Sequence, residues 1–499
     1  MRDPVGRAGT GRRRGARRTR RGRAPPRRAR GPPRKRGRGT RTRACSLLSY
    51  GWIPNGPRDP GRVSANPILA RRIGYGRRVS DAATPRSTPA LLTDRTFGPW
   101  FAGNLLSNSG NWLHNVAAAV VVFNLTGSAL LVGLATAAQF ASLAVLAPWA
   151  GALSDRIDRR RLLLGGQAVA ATSAAALATI AVTLGLEGHA GAWTVIAATG
   201  GIGVGIAFAS PALNALVPAL VPDEDLESGV ALTSLTFNVG RALGPAAGGI
   251  ILATVGASTA FAVNAFSFLA LIGVLLVIRP RPLGQPEADG DRSVRAGLRY
   301  VRSEATLFAL LLGVGTIGFA SDPVNTLTPA LAGSLGGGDG LVAFLVSAFG
   351  VGAAATALAT GRLQRALGLA TVARAGALLL AVGLVAAAVA PTIPVALGAY
   401  VLMGIGFLLG LTSFTALLQR RVREDLRGRV MALWAVAFLG TRPVAALVDG
   451  AAADAFGVRP AFVIPVAVAL AGTIVATRVG EPTGFRAARS RRAARRAPR

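Results

Sequence analysis

The chain has a single cysteine, Cys45, two histidines, His114 and His189, and a single lysine, Lys35, among 499 residues. One thiol cannot build a disulfide framework, and two distant histidines without a second thiol cannot complete a zinc site. A lysine confined to position 35 leaves the rest of the chain without a P-loop or Schiff-base lysine. ATP hydrolysis by the chain itself is therefore not expected, no enzyme activity is read, and no cofactor is called for. Acidic residues are scarce too, 22 against 56 basic ones.

What fills the chain is apolar: 51% hydrophobic and only 16% charged residues. Mean hydropathy is positive. That balance exceeds what a soluble core requires and puts membrane proteins first. The formal charge of +34 is uneven, because residues 1–90 hold 26 basic and three acidic residues. This Arg-, Gly- and Pro-rich stretch has no periodic apolar pattern and is expected to be disordered. It is either a tail for anionic lipid or nucleic acid, or the product of a mislocated start. No methionine lies between Met1 and Met403, so a later start would use an alternative codon such as Val63 or Val79. For the protein as a whole, no nucleic-acid partner is expected.

From about residue 99 apolar runs recur, each long enough to cross about 30 Å of hydrocarbon at about 1.5 Å per residue. Twelve are read: 99–123, 128–153, 162–185, 192–217, 228–253, 258–278, 306–332, 340–362, 369–390, 393–418, 429–453 and 459–477. The arginines Arg156, Arg159, Arg160 and Arg161, the segment from Arg279 to Arg302, the pair Arg362 and Arg365, and the group from Arg420 to Arg429 all fall in alternate loops. The opposite loops hold only Arg459. Basic loops stay inside, so both termini are expected in the cytoplasm of a multi-pass protein of the inner membrane.

An internal repeat divides the runs six and six. Glu224-Asp225-Leu226 returns as Glu424-Asp425-Leu426, Arg241 pairs with Arg442, and Ala260-Phe261 with Ala461-Phe462. The expected organisation is a tail (1–90), a first six-helix half (91–278), a cytoplasmic linker (279–305), a second half (306–480) and a basic tail (481–499), an all-α membrane fold.

The end of the second run reads Gly151-Ala152-Leu153-Ser154-Asp155-Arg156-Ile157-Asp158-Arg159-Arg160-Arg161, which resembles the loop 2-3 signature of the major facilitator superfamily. The fifth run reads Gly240-Arg241-Ala242-Leu243-Gly244-Pro245-Ala246-Ala247-Gly248-Gly249 and resembles the helix 5 motif of that superfamily's exporters. Leu426-Arg427-Gly428-Arg429-Val430-Met431 brings the chain nearest the enterobactin-exporter and macrolide-efflux type, over about residues 91–480. The resemblance implies a secondary transporter that exports small amphipathic molecules, with a small-molecule substrate, protons and the lipid bilayer as partners. It implies a gating role for Gly151, Asp155, Arg156, Arg159 and Arg160, with Gly151 at a close helix approach and Asp155 facing the start of run 11. An importer of the same fold and a transport-inactive scaffold or sensor stay open. Two departures stand out: Asp158 replaces the signature's second glycine, and the arginine that many drug/proton antiporters carry in helix 4 is absent from Ala197–Gly203. The second-half copy, Gly361 to Arg365, has also lost its aspartate.

Charges inside apolar runs are costly and point to function. Asp322, Arg241 and Arg442 qualify. Asp322 is read as a proton-titrating group, or as a structural partner of an arginine or part of a helix break beside Pro323. Asp449 and Asp454, near the end of run 11, are expected to be solvated. Asn104, Asn108, Asn111 and Asn115 share one helix face and, with Ser234, Asn238, Asn325, Thr412 and Thr415, are candidates to line a substrate cavity; interhelical hydrogen bonding is the alternative for the stripe. The spacing Gly313, Gly315, Gly318 matches a dinucleotide fingerprint but lies inside an apolar run, and is assigned to helix packing.

Overall fold

The computed structural model describes residues 88–154, 157–278 and 294–479. The expected tails at 1–87 and 480–499, the segment 279–293, and the pair Asp155 and Arg156 lie outside the described residues. Among the described residues every regular element is a helix. The first set is α1 (Phe97–Thr126), α2 (Ala129–Ser154), α3 (Arg159–Thr183), α4 (Gly188–Leu220), α5 (Leu226–Val255) and α6 (Ala257–Val277). The second set begins with α7 in three pieces, α7a (Ala305–Ala320), α7b (Pro323–Thr326) and α7c (Thr328–Ser334). It continues with α8 (Asp339–Leu367), α9 (Leu369–Ala388), α10 (Ile393–Arg421), α11a (Arg427–Leu439), α11b (Thr441–Phe456), α12a (Val458–Ala461) and α12b (Val463–Val479).

Ten helices among the described residues are long and apolar enough to cross a membrane. The 30-residue helices α1 and α5 are not among them, although at about 1.5 Å per residue each is long enough. Both are diluted by polar groups, α1 by its asparagines and α5 by Arg241 and its hydroxyls.

Prolines explain where helices split. Lacking an N–H, a proline cannot bond the carbonyl four residues back. Pieces end at Ala320, Thr326, Leu439 and Ala461, three or four residues before Pro323, Pro329, Pro443 and Pro465. The seventh run is thus broken beside Asp322, one of the alternatives that Pro323 left open. Helices α4 and α5 nevertheless run unbroken through Pro211, Pro218 and Pro245. A helix not foreseen, Val294–Ser303, occupies the end of the expected linker, with Val301 buried and Gly297 against Arg429 of α11a.

The repeat is structural as well as sequential. A 3-10 turn precedes α5 at Asp223–Asp225 and α11a at Glu424–Leu426. Gly256 and Gly457, 201 positions apart, end α5 and α11b with φ of 87° and 90°, a region that favours glycine.

Small residues let these helices approach closely. On α5, a Cβ at Gly240 would lie 3.0 Å from the Ser109 nitrogen of α1, and one at Gly244 would lie 2.6 Å from the Ser109 oxygen. Gly248 sits on Leu113 of α1, whereas Gly249 faces Ala343 of α8 in the other set. The obstacles at Gly244 include backbone, which cannot rotate away. Gly244→Leu should therefore lower stability by about 1–3 kcal/mol. The check is the melting temperature of detergent-purified protein, with exposed Leu243→Ala as a control expected to change little. The glycines of α7a pack likewise, Gly313 on the Phe414 ring of α10 and Gly318 on the Phe438 carbonyl of α11a.

Candidate functional site

The two sets meet mainly through α2 with α11b and α5 with α8. The contact lies toward one end of the bundle. In α11a only Val430 is buried, whereas α11b buries Arg442, Ala445, Ala446, Asp449, Gly450, Ala452 and Ala453. A Cβ at Gly133 of α2 would strike the Ala446 carbonyl oxygen, and one at Gly450 would lie 2.6 Å from the Ala129 oxygen.

That end is also tied by polar groups. Asp454 accepts hydrogen bonds from the Ser128 hydroxyl (2.5 Å) and the backbone N–H groups of Ala129 (2.7 Å) and Leu130 (3.2 Å), so it caps α2 from the opposite set. Asn124 donates to Asp339 at 3.0 Å. Asp454 is exposed, as expected. Asp449 is not: it is completely buried, which corrects the solvated reading. It is on the face of α11b that packs inward, seven residues from Arg442 and hence on the same side.

Inside this closure lie two small adjoining clefts, each with a cavity volume of about 10 Å³. They share Asn115, Ala119 and Asn325; the first also takes in Thr136, Gln139, Phe140 and Thr199. The asparagine stripe of α1 divides along its length. Asn104 is buried and donates to the Thr236 hydroxyl of α5 at 2.8 Å, so it is an interhelical tie and not a cavity group. Asn108 bonds back to the Asn104 carbonyl at 2.9 Å. Asn111 accepts from Gln139 of α2 at 3.2 Å. Asn115 reaches the clefts with a buried side-chain oxygen that has no hydrogen-bond partner.

The charged residues gather at the junction of the sets. Arg241 is buried over three rings, at 5.1 Å from the centre of Trp112 (α1), 4.5 Å from Phe349 (α8) and 4.3 Å from Phe407 (α10). Such cation–π contacts gain strength where water is excluded. Arg442 lies over Phe140 of α2 at 4.1 Å, with its Nε and one terminal nitrogen unbonded. Asp322 accepts from Thr326 at 2.6 Å through one oxygen, and its other oxygen is unbonded. Asp322 and Arg442 interact electrostatically without a direct hydrogen bond among the described contacts.

The remaining candidates are more dispersed. Ser234, two turns before Arg241, is exposed and bonds the Val230 carbonyl at 3.1 Å. The Asn238 side chain lies outside the described residues. Thr412 and Thr415 are half-buried and donate to their own helix at 2.6 Å, and Thr415 also accepts from Trp434 at 2.9 Å. Gly151 does not mark a close helix approach, since a Cβ there would meet nothing within 4 Å. Arg160 donates to the Leu275 and Leu276 carbonyls, both at 2.9 Å, capping the end of α6 within its own set. Asp158, which departs from the signature, accepts from the Arg161 N–H at 3.0 Å and caps α3. Arg159 is half-buried at the start of the same helix.

A family model for transmembrane secretion effectors matches residues 86–496. The chain belongs to that family, within the major facilitator superfamily. It is 29% identical to the enterobactin exporter EntS of Citrobacter koseri over 408 residues, 79% of this chain and 94% of the relative. It is 28% identical to macrolide efflux protein A of Streptococcus pyogenes over 212 residues, 42% of this chain and about half, 51%, of that relative's length. The nucleoside transporter NupG shares the fold at a TM-score of 0.65 and 9% identity, over 77% of this chain and 98% of NupG. The protein is a multi-pass membrane transporter.

Groups gathered at this junction that sequence reading did not single out are Gln139, Phe140, Thr326 and the cage residues Trp112, Phe349 and Phe407. Gln139 carried a signal, as the one amide in an otherwise apolar helix. The aromatic residues carried none, because rings are ordinary in membrane helices.

Proposed function

We propose that this protein exports small amphipathic molecules from the cytoplasm by alternating access, driven by proton antiport. The observation that carries the reading is a small cleft between the two helix sets, lined by Asn115, Thr136, Gln139, Thr199 and Asn325, with the charged residues Asp322, Arg241 and Arg442 buried in the same bundle, in a chain whose relatives are named as exporters. The halves are residues 91–278 and 306–480, joined by a cytoplasmic linker, and both termini face the cytoplasm of the inner membrane. The end closed by Asp454 and Asp339 then faces outward, and this conformation is open inward.

Asp322 carries the coupling proton. It sits at the break in α7, where the helix offers no continuous apolar wall, and a proton there changes the charge balance with Arg442. Asn115 and Asn325, with Asn108 and Asn111 along the same stripe, contribute polar contacts for substrate, and Ser234, Asn238, Thr412 and Thr415 flank the inward opening. The glycine motif of α5 locks that helix onto α1 within the first half and leaves Gly249 against Ala343 of the second, and the loop 2-3 residues Asp155, Arg156, Arg159 and Arg160 serve the inward closure of the alternate state.

Everted vesicles from cells overproducing the protein provide the test, with a macrolide and enterobactin as probes. The expected result is uptake into the vesicles that depends on an imposed pH gradient. Asp322→Asn should abolish gradient-driven uptake while leaving substrate exchange across the membrane intact. Undiminished gradient-driven uptake by Asp322→Asn would remove Asp322 from coupling, and uptake only into right-side-out vesicles would make the protein an importer.

A further inference from the structure

Asp449 is fully buried in α11b, and neither of its carboxylate oxygens has a hydrogen-bond partner. An unpaired carboxylate in hydrocarbon is among the costliest arrangements a membrane helix can hold, and such groups mark ion or proton pathways. Its neighbourhood makes the case sharper. Arg442 lies two turns away on the same face, about 10 Å along the axis, and Asp322 faces α11b from the break in α7. Thr326, which holds Asp322, touches the level of Gly133, where a side chain would also meet the Ala446 carbonyl. Asp322, α2 and the stretch of α11b between Arg442 and Asp449 therefore meet at one level.

The buried charged groups lie within electrostatic reach of one another, Arg241 of Arg442, Arg442 of Asp322, and Asp322 of Asp449, with no direct hydrogen bond between them among the described contacts. Among the described residues of the neighbouring helices, His114 of α1 bonds the Thr199 hydroxyl and Asp339 of α8 accepts from Asn124. Helix α2 has no charged residue from Ala129 to Ser154, and Asp322 is the only charged residue of α7. On α12, Arg459 is engaged with the Ala388 carbonyl at the end of α9 and the Ala390 carbonyl just after it, and Arg478 lies in the last turn. On α11, Arg427 and Arg429 stand at the far end and Asp454 caps α2. The free Nε of Arg442 and the free oxygens of Asp322 and Asp449 are thus a built polar cluster with unfilled bonding capacity.

We propose that Asp449 and Asp322 form a two-carboxylate proton relay in which Asp449 is the outer station. Two ionised carboxylates buried within electrostatic reach of each other would repel in a site that excludes water, and one proton shared between them removes the clash. In the transfer, an O–H bond of the Asp449 carboxyl breaks and an O–H bond forms on the unbonded oxygen of Asp322, the proton passing through intervening water. Asp449 is left as the carboxylate, the pair keeps one negative charge, and Arg442 remains a guanidinium throughout. Asp449 is nearer the outward end, where a proton driving export enters, and Asp322 is nearer the cleft. The relay rests on the proton-antiport reading and adds its entry point.

Infrared difference spectroscopy on the full chain in nanodiscs, titrated with acid, reads the site without any substrate. The wild type should show the carbonyl band of a buried carboxylic acid, Asp449→Asn should lose it or leave only the Asp322 contribution, and Asp449→Glu should restore it. In everted vesicles with a macrolide probe, Asp449→Asn should reduce pH-gradient-driven uptake by roughly 100-fold while exchange persists. An unchanged band together with normal gradient-driven uptake in Asp449→Asn would overturn the relay. Collapse of folding in both Asp449→Asn and Asp449→Glu would also overturn it, by making Asp449 structural. If the wild type shows the band but moves no probe under a gradient, the export reading fails and the proton-binding pair stands.

Discussion

Arg442→Gln should cost about 3–5 kcal/mol of stability, the range for removing one partner of a buried charged pair. The guanidinium is 4% exposed and is the neighbouring cation with which Asp322 interacts. Glutamine keeps much of the length but not the charge, so Asp322 would be left in the bundle with Thr326 alone, and the contact with Phe140 would be lost as well. The readout is the yield and melting temperature of monodisperse protein in detergent. Arg442→Gln with Asp322→Asn should recover most of the loss, because the two substitutions remove interacting charges and their effects cannot add. A single variant as stable as the wild type would mean that Arg442 is not the compensating charge of Asp322.

How legible this site was depended on whether a residue's meaning was local. Membrane helices declare themselves by length and apolarity, so the expected runs match α1 to α12 within a few residues; 429–453, for instance, falls within Arg427–Phe456. The repeat was legible because Glu224-Asp225-Leu226 and its copy open the same kind of turn. The divisions of α7, α11 and α12 follow from prolines that were in plain view. Yet Pro245 leaves α5 intact, so proline alone does not decide; one face of that helix packs tightly on α1 at Gly240, Gly244 and Gly248.

Asp449 and Asp454 show where local reasoning stops. They are five residues apart, both acidic and both near the end of one helix, and sequence reading treated them alike. A helix turns about 100° per residue, so five residues place them on different faces. One face turns into α2 and α7, the other to the end of α2 at the surface. The spacing of seven between Arg442 and Asp449 was available and would have put Asp449 with the buried charge. The aromatic cage of Arg241 was not legible, since Trp112, Phe349 and Phe407 come together only through the packing of three helices from two sets.

Asp454→Ala should shift the conformational balance toward the outward-open state by about 5- to 30-fold, equivalent to about 1–2 kcal/mol. Its carboxylate joins α11b to the first turn of α2 through three donors, two of them backbone N–H groups that no helix carbonyl can satisfy. Those groups are bonded only while the outer end is closed, so the contact is worth nothing to the open state and its loss acts on one side of the equilibrium. Exposure to water keeps the effect to that of a helix cap and not that of a buried ion pair. The Asn124–Asp339 bond remains in the variant and limits the shift further. Spin labels on Thr126 and Phe456 would report it, as growth of a longer distance in pulsed electron resonance. Asp454→Asn should fall between the wild type and alanine, because an amide oxygen still accepts but carries no charge to favour the positive end of α2. Distance distributions that are the same in wild type and alanine variant would show that packing of Gly133 and Gly450, not this cap, holds the outer end shut.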